Sequence, residues 1–349
     1  MTDSATDNAL IPAVGESPTL NRRALLIGTG AAIAGLGVFG AVRDRFLPRA
    51  SAFIAAGQRY DKGLEQTIRD GLLATDLVPQ QIRGKRVLLK PNLVEPTKKS
   101  PHLTTHPAMV QAAAAVFRGW GAQVIVGEGP GHVRDTEMAL LESRMSEALD
   151  EAELAFADLN YEEVRFVANA GKASKLEGFY FPRSVVEADV VVSMPKMKTH
   201  HWVGFTASMK NLYGVIPGIK YGWPKNVLHH AGIPQTVFDI NASLPKTIAI
   251  VDGIECMEGD GPIMGSAKHM GLVVIGTNPT AADATVARLM EIDPAQVSYL
   301  RLAADRLGPI ADRRIEQRGE RWENHASRFA IIDAEHLKSL RPRRGSLIT

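Results

Sequence analysis

The chain has 349 residues, 45% of them hydrophobic and 22% charged, with a formal net charge of +2. That composition excludes a disordered chain, and so small a net charge excludes the broad cationic field that nucleic-acid binding needs. Cys256 is the single cysteine, which excludes an intrachain disulfide, an iron–sulfur cluster and a four-cysteine zinc site built from this chain alone.

Residues 1–50 read as a targeting segment. Arg22 and Arg23 precede residues 24–42, which carry no charge and are rich in Gly and Ala; this is a charged n-region followed by a moderately apolar h-region. Asn21-Arg22-Arg23-Ala24-Leu25-Leu26 resembles a twin-arginine signal. It predicts export to the periplasm or cell envelope with the twin-arginine translocase as partner. The apolar stretch is also just long enough to span a bilayer as an uncleaved anchor.

Beyond it, short apolar runs alternate with helical patterns. Residues 51–56 predict a strand, 62–73 a helix, 86–89 a strand, and 107–120 a helix opened by Pro107 and closed by Gly121. A strand at 124–126 leads through a glycine-rich turn to a helix at 136–149. Residues 155–182 are irregular, either a hairpin or an inserted flap. Then come a strand at 190–193, a helix at 204–213 with Gly214 as its C-cap, and a helix at 234–244. Strands at 247–251 and 272–275, helices at 279–290 and 295–307, and an edge strand at 329–332 complete the series. The alternation predicts an α/β fold, a layered and mostly parallel sheet with helices on both faces and an irregular central insertion. One domain is expected over 51–325, with a C-terminal strand and basic tail over 326–349.

Ligands of open α/β sheets bind outside the carboxyl ends of the strands, where loops converge. "RVLLKPN" delivers Lys90 and Asn92, and "VIVGEGPG" delivers Glu128. "VVVSMPKMKTHH" delivers Lys196, Lys198, His200 and His201; "IAIVDGIECMEGDGP" delivers Asp252, Glu255, Glu258 and Asp260; "VVIGTNPTAAD" delivers Thr277, Asn278 and Asp283. The prolines beside Lys90 and Lys196 restrict the backbone and so aim the amines. Lys196 and Lys198, two apart, share a face if the chain is extended. Thr206 and Lys210 share a face if residues 204–213 are helical, with Asn211 beside them. The free amides of such a helix start would then attract an anion.

From this convergence follows an anion-binding site. Lys90, Asn92, Lys196, Asn211 and His229 are expected to bind a small carboxylate or phosphate. Lys198, Lys210 and His200 are expected to act on it, since a histidine titrates near neutrality. His200 and His201 cannot both face one cleft from a regular strand, and "YGWPKNVLHHAG" reads as a lid carrying His229. Asp252, Glu258 and Asp260 offer the oxygen ligands that a divalent metal prefers, or else neutralise the lysines. Cys256 reads as a small buried residue rather than a nucleophile, and His106 as a residue that orders the loop before its helix.

"LLKPNLV", "TTHPAMV", "VIVGEGPG", "MPKMKTH", "SMKNLYGVIPG", "VDGIECMEGDGP" and "AADATVARLM" occur in this order between residues 53 and 307. In this the chain resembles the family called domain of unknown function 362. Members of that family often accompany ferredoxin-like iron–sulfur domains, so the resemblance implies a separate ferredoxin-like protein as a partner. It fixes no reaction. An exported enzyme acting on a small anion, a non-catalytic carrier of an anion or cofactor, and a redox accessory to a separate iron–sulfur protein all remain open at this level.

Overall fold

The sheet of the computed structural model is built from runs that are apolar at nearly every position, because both of its faces are covered. The structure describes residues 47–132 and 134–341; the twin-arginine-like stretch and most of the basic tail lie outside them. In chain order, β1 (Ala50–Ala55), α1 (Leu64–Ala74), β2 (Arg86–Lys90), α2 (Pro107–Gly119) and β3 (Gln123–Glu128) open the fold. They are followed by α3 (Thr136–Glu142), α4 (Met145–Glu151), β4 (Phe156–Asp158), β5 (Val164–Ala168), β6 (Gly178–Pro182) and α5 (Arg183–Glu187). Next come β7 (Val190–Ser193), β8 (Lys196–His200), β9 (Gly204–Thr206), α6 (Ser208–Asn211), α7 (Gly218–Tyr221), α8 (Asn226–His230) and α9 (Ile233–Ser243). Finally, β10 (Lys246–Glu258), β11 (Ser266–Gly276), α10 (Pro279–Leu289), α11 (Ser298–Ala303) and β12 (Ile315–Gly319) complete the regular elements.

The sheet runs in the order β12-β1-β11-β10-β7-β2-β3-β4. Strands β10, β7, β2, β3 and β4 are mutually parallel, while β11 is antiparallel to both β10 and β1. Period-two alternation divides the side chains between two cores. Val87, Leu89, Val190, Val192, Ile248 and Ile250 pack under α1 and α2 with Ile68, Leu72, Val110 and Phe117. Leu88, Val191, Ala249 and Val251 face the opposite layer with Phe205, Met209, Val237 and Val286. This is the layered, mostly parallel α/β sheet with helices on both faces that the alternation implies, and the irregular middle is a separate antiparallel hairpin of β5 and β6.

Several elements differ from the sequence reading. Residues 204–213 do not form one helix: β9 pairs antiparallel with β8, and only Ser208–Asn211 is α-helical. The apolar residues Val203, Phe205, Ala207 and Met209 alternate with Gly204, Thr206 and Ser208 at a period of two, a strand signal that the Gly and Lys content obscured. The helix at 136–149 breaks at Arg144, whose φ of 58° is left-handed. The one at 295–307 is shortened to α11. Residues 329–332 contribute a single bridge, Ile331 to Gly259. The edge strand is instead β12, beside β1, and its "IEQRG" has one apolar residue because an edge needs little apolar surface.

Strand β7 stops at Ser193, and β8 resumes after Pro195 against a later stretch of β10, pairing Lys196 with Asp252 and Lys198 with Met257 across a register shift. The break projects β8 past the ends of β2 and β3, so its side chains can meet theirs.

Candidate active site

A cavity of about 100 Å³ opens at this edge, lined by the ends of β2, β3 and β8 and by the segments that follow β9. A single water needs roughly 10–15 Å³ by this kind of measure, so the cavity admits a small molecule. Lys90, Asn92, Lys198, His200, Lys210, Asn211 and His229, seven of the residues singled out from the sequence, line it together.

Alternation along β2 turns Lys90 away from the α1/α2 core toward the layer that holds Asn211. Its fully buried ammonium pairs with Glu128 and donates to the Pro91 carbonyl at 2.7 Å and to Asn211 Oδ1 at 3.3 Å. Burial pulls the Lys90 ammonium down and pushes the Glu128 carboxyl up, and the attraction between them opposes both shifts. Asn211 Nδ2 donates to the Lys90 carbonyl and to Ser193 Oγ, both at 3.1 Å, which leaves its Oδ1 to accept from Lys90 and from Asn92 Nδ2 at 3.2 Å. Gly214 packs directly on the ion pair: a Cβ there would lie 2.7 Å from Lys90 Nζ. Its role is this close approach, and not the helix C-cap expected from the sequence.

Three more amines line the cavity, and none has a carboxylate partner among the described residues. Lys198 Nζ donates to the Leu103 carbonyl at 2.8 Å. Burial, reinforced by Lys196 and Lys210, lowers its pKa to about 7. Lys225 Nζ donates to the Ile216 carbonyl and to Asn160 Oδ1. Burial lowers it to about 7 as well, against the pull of Glu128. Lys210 Nζ sits over the Tyr213 ring, 4.3 Å from its centroid. It keeps some solvent access through the cavity, yet its surroundings are dense enough for burial to lower it to about 8, with Lys90 adding to the effect. Glu128 is the one carboxylate among the described lining residues, and Lys90 already holds it.

His200 Nδ1 accepts the Trp202 amide at 3.1 Å, so the ring carries its hydrogen on Nε2. Burial, then Lys210, holds its pKa well below the usual histidine value, and the ring is a neutral donor at pH 7. His201 also lines the cavity, because β8 ends at His200 and the turn that follows cancels the strand alternation. His229 Nδ1 meets the Lys225 carbonyl at 3.1 Å, and its ring packs edge-on to Trp202 and Tyr213.

The remaining predicted residues lie elsewhere. Lys196 lies on the same extended strand two residues before Lys198, but it does not line the cavity. It donates to Asp252 Oδ2 at 2.6 Å and to Tyr60 Oη at 2.9 Å, while Asp252 also accepts from Tyr60 and from the His106 amide. Glu258 pairs with Lys268 and accepts the Ala330 amide, and exposed Asp260 stands 3.5 Å from His201. Asp252, Glu258 and Asp260 are thus held apart by separate partners, and the described residues contain no cluster of three His, Cys, Asp or Glu that could hold a metal. Strand β11 runs opposite to β10, which carries Thr277 and Asn278 to the other edge of the sheet. Asp283 answers the expected anion-binding helix start: its carboxyl oxygens accept the Ser208 and Met209 amides, while burial pushes it up to about 7. Burial keeps the Cys256 thiol protonated, and His106 stacks on Tyr60 and caps α2.

Sequence reasoning missed Lys225, Trp202 and Tyr213 as lining residues. Lys225 follows Pro224 in "WPK", the same neighbouring of proline and lysine that marked "KPN" and "PKMK".

The chain has relatives among known proteins. A thylakoid-associated protein of Synechocystis sp. is 28% identical over 229 residues, covering 64% of this chain and 68% of its own. The lactate racemase apoprotein from Thermoanaerobacterium thermosaccharolyticum superposes with a TM-score of 0.40 at 12% identity, over 58% of this chain. The match spans about half of that structure, 51% of its length. Among the described residues no helix is long and apolar enough to cross a membrane. A family match covers residues 87–288, which include every residue lining the cavity, and the chain belongs to the family described as domain of unknown function (DUF362).

Proposed function

We propose that the protein is an enzyme whose cavity binds a small anion, a carboxylate or a phosphate, and moves a proton on it. The observation that carries this reading is the set Lys198, Lys210 and Lys225: three amines on one cavity with no carboxylate partner. Desolvated amines without counter-charge are costly, and such cost is characteristic of functional sites. An anionic ligand supplies the missing charge. Lys90, fixed by Glu128, and Asn211 organise the floor on which it sits.

The roles follow from protonation. A lysine that titrates near 7 is divided between amine and ammonium at neutral pH, so Lys198 can accept a proton and return it. Neutral His200 donates through Nε2, and Lys210 contributes positive charge; together they stabilise negative charge as it develops on a substrate oxygen. This is the chemistry of isomerases and lyases acting beside a carboxylate. We also read Arg22, Arg23 and the apolar run after them as directing export to the cell envelope, in keeping with the thylakoid association of the Synechocystis relative.

The test works before any product has been identified. Native mass spectrometry of the full chain purified from its own envelope should reveal a small anion travelling with it. Bound candidates are then incubated in deuterated water. Deuterium entering a carbon-bound position, lost in His200→Ala while binding persists, supports the enzyme. Binding without exchange for any anion leaves a carrier and overturns the catalytic part.

A further inference from the structure

The cavity wall contains one acceptor that the protein leaves unanswered. Asn92 is 5% exposed, lines the cavity, and its Oδ1 is buried with no hydrogen-bond donor among the described residues. Its orientation is dictated by the network rather than by choice. Asn211 must direct Nδ2 at the Lys90 carbonyl and Ser193 Oγ, because its Oδ1 faces the Lys90 ammonium. Asn92 must therefore present Nδ2 to Asn211 Oδ1, and its own Oδ1 is left as an acceptor. Flipping Asn92 would set two oxygens against each other. A buried acceptor without a donor is expensive, and because Asn92 lines the cavity a bound ligand can supply that donor.

The charge count points the same way. Lys198, Lys210 and Lys225 reach the cavity from three separate segments and face no free carboxylate. A monoanion would leave most of that charge unanswered. An ammonium on the ligand would be repelled by the same three lysines, which favours an uncharged donor such as a hydroxyl.

Resting on the reading of this cavity as a ligand site, we propose that its ligand is a small dianion that carries a hydroxyl group, with the hydroxyl donating to Asn92 Oδ1. A hydroxylated dicarboxylate and a hydroxylated phosphate monoester share this chemistry.

Matched pairs test it, using isothermal titration on the full chain. Malate is compared with succinate, and glycerol 3-phosphate with propyl phosphate; each pair differs in hydroxylation. Lactate serves as the hydroxylated monoanion. The expected result is that the hydroxylated member of one pair binds at least about tenfold more tightly than its partner and more tightly than lactate; which pair responds identifies the source. In Asn92→Ala the two members of that pair become equal. If that variant fails to fold, the wild-type comparison still decides. Equal binding within both pairs overturns the hydroxyl assignment, and lactate binding as tightly as the hydroxylated member of the responding pair overturns the dianion; either result leaves the anion site standing. If none of the five anions binds, the site reading itself fails.

Discussion

Replacing Lys198 with Met removes a cation that the fold holds at a cost, and the sign of the effect depends on pH. In the unfolded chain this lysine keeps its proton to about 10.5, whereas in the folded protein it releases it near 7. Between those values the unfolded state binds more protons, so stability rises with pH there. The penalty is fully present below 7 and gone above 10.5. At about 1.4 kcal/mol per pH unit, the penalty at pH 7 is on the order of 4 kcal/mol. Met also strands the Leu103 carbonyl, which lowers the gain by about 1–3 kcal/mol. The variant should therefore be more stable than wild type at pH 7 by ~2 kcal/mol, roughly 3 °C in Tm for a chain of this size. Near pH 10 the advantage should vanish or reverse. Thermal unfolding of both proteins without ligand, at steps of one pH unit from 6 to 10, reads this directly. A variant that is less stable at pH 7, or a difference that does not change with pH, would refute the claim that Lys198 is buried without counter-charge.

The Lys90–Glu128 pair predicts the opposite. Lys90→Met leaves a buried carboxylate alone and should destabilise the fold by about 3–5 kcal/mol, measurable by urea denaturation; a neutral effect would mean that Glu128 has another partner. Anion binding favours the protonated forms of Lys198, Lys225 and Lys210, so binding should take up protons and weaken as pH rises through about 7 to 8; titrations in buffers of different ionisation enthalpy measure the uptake. Gly214→Ala, whose Cβ would press on Lys90 Nζ and Glu128 Oε1, should weaken anion binding roughly tenfold or more while far-ultraviolet circular dichroism stays unchanged.

The cost borne by this site also explains its construction. Three amines can stay unneutralised because the two cores on either side of the sheet hold β2, β7 and β10 rigidly. The three amines are carried by β8, by α6 and by the residue before α8, and they line the cavity where a ligand can relieve them.

Much of this was written in the one-dimensional pattern. Apolar runs such as "RVLLK", "VVVS" and "TIAIV" specify strands covered on both faces, since no half-exposed strand tolerates them, and the helices between them impose parallel order. Polar residues directly after those runs marked Lys90, Asn92, Lys198 and His200, because a parallel sheet places strand ends along one edge; Lys210 and Asn211 were marked through a helix over 204–213 that is in fact a strand and a short helix. What the sequence by itself could not determine was direction and register. Only pairing in three dimensions reversed β11 and moved Thr277 and Asn278 to the far edge. Only the shifted pairing of β8 on β10 sent Lys196 to Asp252 and Lys198 to the cavity. Asp252 and Glu258 lie six residues apart on the continuous strand β10, and its extension, at about 3.3 Å per residue, keeps them apart. Lys225 was drawn in by contacts with Ile216 and Asn160 that no local pattern encodes. Local periodicity governs which face of a strand a side chain occupies, but long-range hydrogen bonding decides which neighbour it meets there.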